Sequence, residues 1–250
     1  MINFDDYRRV AGDEIIEQII KEAKPLQGKD IRHINSTYYG GGVAEILDSL
    51  VFLMNKIGIN AGWRLIKGSD EFFRITKLIH DGCQGAEVIL APSMIQIYEE
   101  TLAKNAVFTH LENSDAVIAH DPQVLPLITH YKKSQPWIWR CHIDIIKPNP
   151  NLWAFLKNFI NQYDEMIISD KSFIKDDIKI RQNVIMPSID PLTDKNKEIS
   201  LSEAEIILDK AGIKFNKPII SQISRFDIWK DPLGVIEAYK IAKKEIDCQL

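Results

Sequence analysis

The residues best suited to chemistry fall in a few short stretches. Arg225 and Lys230 stand between a stretch that reads as a short buried strand, Pro218 to Ser224, and a helical pattern of Val235, Tyr239, Ala242 and Ile246. A guanidinium offers phosphate oxygens a planar fork, and an ammonium adds a mobile point charge. Asp231 can cap the following helix, and Pro232 suits its first position. Both cations thus precede a helix start, where free N–H groups and the helix dipole favour anions. This is the layout of a diphosphate clamp. The alternative is a pair of solvated cations at the rim of a sheet.

A second stretch is the triple glycine Gly40-Gly41-Gly42, between an expected strand and a helix from Val43. Glycines there let the backbone turn sharply and let a ligand approach the N–H groups of the helix start. The loop is neither Gly-x-Gly-x-x-Gly nor a Walker sequence, which argues against dinucleotide and P-loop readings. A flexible turn is the competing account. The third and fourth stretches are His120-Asp121 and His142, polar groups at the ends of two apolar runs. Each histidine could simply hydrogen-bond within the fold, and Asp121 could cap the helix after it.

The elements that must position these groups alternate. Helices are expected over Asp13–Lys24, from Val43 to Gly58, over Ser69–Asp81 and over Pro92–Lys104, with a loop at Gly82–Gly85. Strands are expected at Lys29–Asn35, Asn60–Ile66 and Ala116–Ala119, from Trp137 with polar groups up to His142 at the carboxyl end, and at Glu165–Ser169 and Asn183–Met186. Another helical pattern follows Asp121, through Leu125, Leu127 and Ile128. Trp137 and Trp139 alternate on one strand face and read as core or interface residues. Such alternation predicts an α/β fold, a doubly wound, mostly parallel Rossmann-like sheet. Ligands bind outside the carboxyl ends of such strands. Gly41, Gly42, Asp121 and His142 would all lie on that edge.

Beyond Pro187–Pro191 the composition turns polar, and Ser202 with Glu205 reads as a capping box opening a helix that stops at Gly212. The pattern predicts a domain over residues 1–190, then a linker and the first strand–helix unit of a second domain over 191–250. That remainder is too short for a Rossmann-type core of its own.

Composition narrows the function class. The formal charge of -4 among 250 residues supplies no basic face for nucleic acid. Cys83, Cys141 and Cys248 lack metal-ligand spacing and suggest a reduced compartment without a disulfide framework. No apolar run is long enough for a membrane span, and Met1 to Arg9 lacks a basic-then-apolar leader. A cytoplasmic enzyme or binding protein is expected.

Taken together, the motifs resemble a known family. They are Asn35-Ser36-Thr37 with Gly40-Gly41-Gly42-Val43-Ala44-Glu45-Ile46-Leu47, His120-Asp121-Pro122-Gln123, and Trp139-Arg140-Cys141-His142-Ile143-Asp144. Ile185-Met186-Pro187, Ser188-Ile189-Asp190-Pro191-Leu192, Ser224-Arg225-Phe226-Asp227 and Trp229-Lys230 continue the series over nearly the whole chain. The sequence is similar to the trehalose glycosyltransferring synthases, retaining glycosyltransferases of family 4 with the two-domain GT-B fold.

The resemblance implies transfer of glucose from a nucleotide diphosphate glucose to C1 of free glucose, giving trehalose. It implies that Arg225 and Lys230 stabilise the leaving phosphate, and that Gly41 and Gly42 approach the donor. It further implies that His142 lies near the donor sugar and that Asp121 meets the sugars. In this family the departing phosphate is thought to take the acceptor's proton, with attack from the same face. No tightly bound cofactor or divalent metal is implied, and the partners expected are small molecules: nucleotide sugar, glucose and trehalose. Neither nucleic acid nor membrane is expected, and the oligomeric state stays open, with a homodimer as one option. The family's donor domain also carries paired glutamates, which belong downstream of Leu250. Trehalose phosphorylase is the neighbouring reading, and a catalytically inactive sugar- or nucleotide-binding remnant is the alternative of another class. An NAD-dependent oxidoreductase is disfavoured, since its glycine fingerprint is missing.

Overall fold

A computed structural model describes residues 4–250. The part of the leader argument that rests on Met1–Asn3 lies outside the described residues. Two compact units make up the chain, Met1–Asn196 and Lys197–Leu250.

After a short 3-10 helix, Phe4–Tyr7, the first unit forms α1 (Arg8–Ala11) and α2 (Asp13–Ala23). It continues through β1 (Asp30–Asn35), α3 (Gly42–Lys56), β2 (Asn60–Leu65), α4 (Asp70–Cys83), α5 (Pro92–Thr109) and β3 (Ala116–His120). Then come β4 (Trp137–Arg140), α6 (Pro150–Ile160), β5 (Glu165–Ile168) and β6 (Arg181–Val184). All strand pairs are parallel, in the order β2-β1-β3-β4-β5-β6. The fold is α/β and Rossmann-like, as the alternation predicts. The strand order reverses between β1 and β3, so the connections leave their carboxyl ends in opposite directions and open a crevice there.

Alternation along each strand builds a core on both faces. On β1, Ile34 joins the large cluster containing Phe72, Tyr98, Trp137, Trp139 and Leu156, whereas Ile31 joins a smaller one with Ala23 and Ile59. On β3, Val117 and Ala119 face the first cluster, and Ala116 and Ile118 the second. Both faces are thus covered, the condition for a parallel sheet. Trp137 and Trp139 are fully buried, in agreement with a core assignment.

Several boundaries differ from the sequence reading. Helix α4 runs through Gly82, because a side chain there would meet Leu152 Cδ2 at 2.5 Å; glycine permits the close approach. Helix α5 continues past Lys104 to Thr109, with Asn105 held by Nδ2 donors to the Lys67 and Thr101 carbonyls, both at 2.7 Å. The helix after Asp121 is a 3-10 helix, Pro122–His130, interrupted by Pro126, which has no N–H for an α-helical ladder. β4 ends at Arg140, and His142 follows at its carboxyl end, where the sequence reading placed it. β6 lies two residues earlier than expected, and Met186 is exposed.

Within the first unit, Tyr7 Oη donates to Asp190 Oδ2 at 2.9 Å, tying the segment after β6 to the amino-terminal helices. The second unit contains α7 (Leu201–Lys210) and α8 (Pro232–Glu245). The capping box is real but sits two residues earlier, at Ser200 and Glu203, whose side chains satisfy each other's backbone N–H groups. The expected strand at Pro218–Ser224 is reduced to a single bridge, Ile219 with Gln249, and Ile223 is 96% exposed. A strand needs continuous partners for its backbone groups, and among the described residues one bridge is all that pairs it.

Candidate functional site

The carboxyl edge at the β1–β3 crevice collects the polar residues of the first unit. Asn35, the last residue of β1, is buried and organises the loop that follows: Ser36 N–H donates to its Oδ1 at 2.7 Å, and its Nδ2 donates to Thr37 O at 3.1 Å. Thr37 Oγ1 donates in turn to Tyr39 O at 2.7 Å. This turn delivers Gly40 and Gly41 at φ of 75° and 84°, a region that side chains resist. Gly42 is the first residue of α3 and needs no positive φ. Apart from the adjoining backbone, no heavy atom lies within 4 Å of where a side chain on any of the three glycines would begin. The start of α3 has no side-chain cap, so no side chain takes up its first N–H groups.

Across the crevice, β3 ends at His120, followed by Asp121 at φ 62°. Asp121 does not cap the helix after it. Its Oδ1 accepts the backbone N–H of His142 at 2.7 Å, and its carbonyl accepts Trp139 Nε1–H at 3.2 Å. Asp121 thereby fixes the chain where it leaves β4 and sets the position of His142. Burial pushes the Asp121 carboxyl up to about 7, against the smaller opposing pulls of the His142 N–H and Arg140.

The histidines form a row. His33 Nδ1 lies 3.0 Å from His120 Nε2, and His120 Nδ1 lies 2.9 Å from His142 Nε2. Their ring planes are tilted by only 29° and 15°, with centroids 5.3 and 5.2 Å apart, so the rings meet edge to edge. Burial draws the His33 imidazole down to about 4; burial, aided by Arg140, does the same for His142. His120 lies well below its ordinary value, from burial first and its charged or protonatable neighbours second. All three rings are therefore neutral at pH 7. Burial also pushes the Cys83 thiol up to about 12 and raises Cys141, so neither thiol is poised as a nucleophile.

Sequence reasoning placed Gly41, Gly42, Asp121 and His142 on this edge, and the structure brings them there. It missed His33 and Arg140. Arg140 is buried, pairs in register with His120, and has an Nη1 without a protein partner. The signal available was parity: Ile31, His33 and Asn35 share one face of β1, but only strand order shows which neighbours they meet.

Arg225 and Lys230 belong to the second unit. Arg225 is exposed, its Nη2 3.1 Å from Asp227 Oδ2. Lys230 closes a short 3-10 turn, Ile228–Lys230, and Gln222 Nε2 donates to its carbonyl. Asp231, at φ 47°, caps α8 by accepting the Gly234 N–H at 3.0 Å. Both cations thus immediately precede a capped helix, with their side chains in solvent. Among the described residues, no group of three or more His, Cys, Asp or Glu is arranged to hold a metal ion. None of the described helices is long and apolar enough to cross a membrane.

Comparison with known proteins agrees with this architecture. A family model described as the N-terminal domain of trehalose synthase matches residues 33–175. The chain is 46% identical over 244 residues to a trehalose synthase of Thermococcus litoralis, covering 97% of this chain and 59% of that protein. It is 36% identical over 248 residues to a trehalose synthase of Rubrobacter xylanophilus, covering 96% of this chain and again 59% of the relative. A trehalose phosphorylase of Grifola frondosa is 25% identical over 279 residues, covering 97% of this chain and 38% of that protein. The matched region contains the whole histidine row, Asp121 and the glycine loop, and on this match the chain belongs to the trehalose synthase family.

Proposed function

We propose that this chain serves a retaining glucosyltransferase, which moves glucose from a nucleotide diphosphate glucose to C1 of free glucose and forms trehalose. The observation that carries the reading is the carboxyl edge at the β1–β3 reversal, which holds a helix start without a side-chain cap, a neutral histidine and a buried carboxyl. Uncharged donors and acceptors of this kind suit sugar hydroxyls, and the helix start suits a phosphate.

In the reaction, the bond from the donor sugar's C1 to the phosphate oxygen breaks. A bond from C1 to the acceptor's hydroxyl oxygen forms on the same face, and the acceptor's proton passes to a leaving phosphate oxygen. Negative charge grows on that phosphate, so cations already in place stabilise the transition state more than the ground state. Arg225 and Lys230 take this role, Gly41 and Gly42 allow the donor to approach, and His142 and Asp121 meet the sugars. The partners are small molecules, and the reading needs neither a resident cofactor nor a bound metal. Cytoplasmic location accompanies it.

The test is to incubate the full-length protein with nucleotide diphosphate glucose and glucose. Release of a nucleoside diphosphate together with trehalose is expected. Similarity to a trehalose phosphorylase favours one second reading, in which phosphate replaces the nucleotide. Turnover of trehalose with phosphate alone would select it and end the synthase assignment. Calorimetric donor binding without turnover under either condition would instead select a sugar- or nucleotide-binding protein.

A further inference from the structure

The histidine row crosses the sheet obliquely. His33 is level with Ile118 on β3, two residues before His120, and His120 is level with Arg140 on β4, two residues before His142. Each histidine therefore stands one strand over and two residues nearer the carboxyl edge than the last. His33 and His120 share the sheet face of Ile31 and Ile118, the face covered by α2 and α3. Burial follows the same order: His33 is 1% exposed, His120 3%, and His142 is half-buried at the edge.

A neutral imidazole has one N–H and one bare nitrogen. Two inter-ring bonds among three neutral rings therefore force the central ring to donate in one and accept in the other. Only two arrangements exist. In the outward one, His33 Nδ1–H donates to His120 Nε2, His120 Nδ1–H donates to His142 Nε2, and His142 is left with its proton on Nδ1. The inward one reverses every bond and leaves the unshared proton on His33 Nε2.

The structure chooses between them. His33 Nε2 is buried without a protein partner. The inward arrangement would strand an N–H there, whereas the outward one strands only a lone pair, and orphaned N–H groups are the rarer case in folded proteins. The neighbouring strand holds a second orphan. Trp63, paired in register with His33 across β1 and β2, has a buried Nε1–H with no acceptor.

We propose that His33 and His120 are positioning residues that hold His142 as a neutral ring with its proton on Nδ1, presenting a fixed N–H donor to a hydroxyl oxygen of the bound sugar. The inference rests on the reading above only for the ligand. The tautomer itself follows from the row. The charged or titratable groups around the row are Arg140, level with His120, and Asp121, bonded to the His142 backbone. Arg140 opposes a positive charge on either neighbouring ring. His142 therefore acts through its hydrogen bond and not as an imidazolium.

The experiment is nitrogen-15 spectroscopy of the histidine rings in the 250-residue chain at pH 7, with no substrate present. His33, His120 and His142 are each expected to be neutral, with Nδ1 protonated and Nε2 bare, the tautomer an unconstrained histidine adopts less often. His33→Phe removes the donor to His120 and is expected to release His142 into a mixture of tautomers. His33→Asn, whose side-chain amide can donate from about the place of Nδ1, is expected to restore the single form. An Nε2–H or mixed His142 in the unsubstituted chain overturns the proposal, whether or not the variants fold. So does a folded His33→Phe chain whose His142 signals are unchanged. Because no substrate enters the measurement, its outcome is separate from that of the synthesis assay.

Discussion

At the scale of single residues, the two cations and the buried edge differ in what they owe to folding. Arg225 and Lys230 are exposed, so their replacement touches little of the structure. Arg225→Ala or Lys230→Ala in the full-length protein is expected to leave thermal stability nearly unchanged and to lower kcat by roughly 10²–10³, the scale of removing one oxyanion stabiliser. Steady-state kinetics beside a melting curve would check this; unchanged kcat in both variants removes the clamp from the mechanism. Asp121 is the opposite case, a buried carboxyl that fixes the backbone at His142. Its placement was legible in the sequence as a polar residue ending an apolar run. Its job was not: its partner lies on the neighbouring strand's exit, not in the helix that follows it.

At the scale of elements, the glycine loop separates conformational need from ligand access. Gly41 precedes α3 at φ 84°, so Gly41→Ala places a side chain in the left-handed region and should cost about 1 kcal/mol or more of stability. Gly42 is already helical and meets nothing within 4 Å, so Gly42→Ala should be neutral or stabilise by about 0.5–1 kcal/mol. If the helix start receives the donor phosphate, that same stable variant loses donor affinity. Denaturant titration and donor KM, measured on both variants in the full-length protein, give the comparison. A Gly42→Ala enzyme with wild-type KM would show that the open space above α3 is not used.

At the scale of the whole molecule, the buried edge makes stability depend on pH. His33 and His142 titrate at about 4 when folded, against 6.5 unperturbed, and His120 is lowered well below that value. Unfolding between those values takes up protons, so the stability these rings contribute is present above about pH 6.5 and is lost as pH falls. Asp121 opposes them. Its folded value near 7 exceeds the unperturbed 3.8, so its contribution is present at low pH and is lost as pH rises toward 7. Three rings against one carboxyl leave a net uptake of about two protons on unfolding near pH 5. Stability from denaturant titrations should therefore fall between pH 6.5 and 4.5. The slope should steepen by about one proton in Asp121→Asn and flatten by about one in His33→Phe. A flat profile over that range would contradict the burial of the row.

The order and type of the main elements were determined by the sequence alone. Apolar repeats distinguish helices from strands, glycine and proline mark many of their ends, and the β–α alternation commits the chain to a parallel sheet whose carboxyl edge holds the polar residues. Local pattern was weaker where pairing decides: Pro218–Ser224 has the composition of a strand, yet strand structure needs neighbours to satisfy its backbone, and a single bridge at Ile219 is what it has. Strand order and register were likewise out of reach of the sequence, because nothing in β1 states that β3 and not β2 will lie between it and β4. That order opens the crevice at the β1–β3 reversal, and the register lines up His33, His120 and His142 within hydrogen-bond distance. A chain read in one dimension shows three separate histidines; only the sheet makes each one the partner that sets the next.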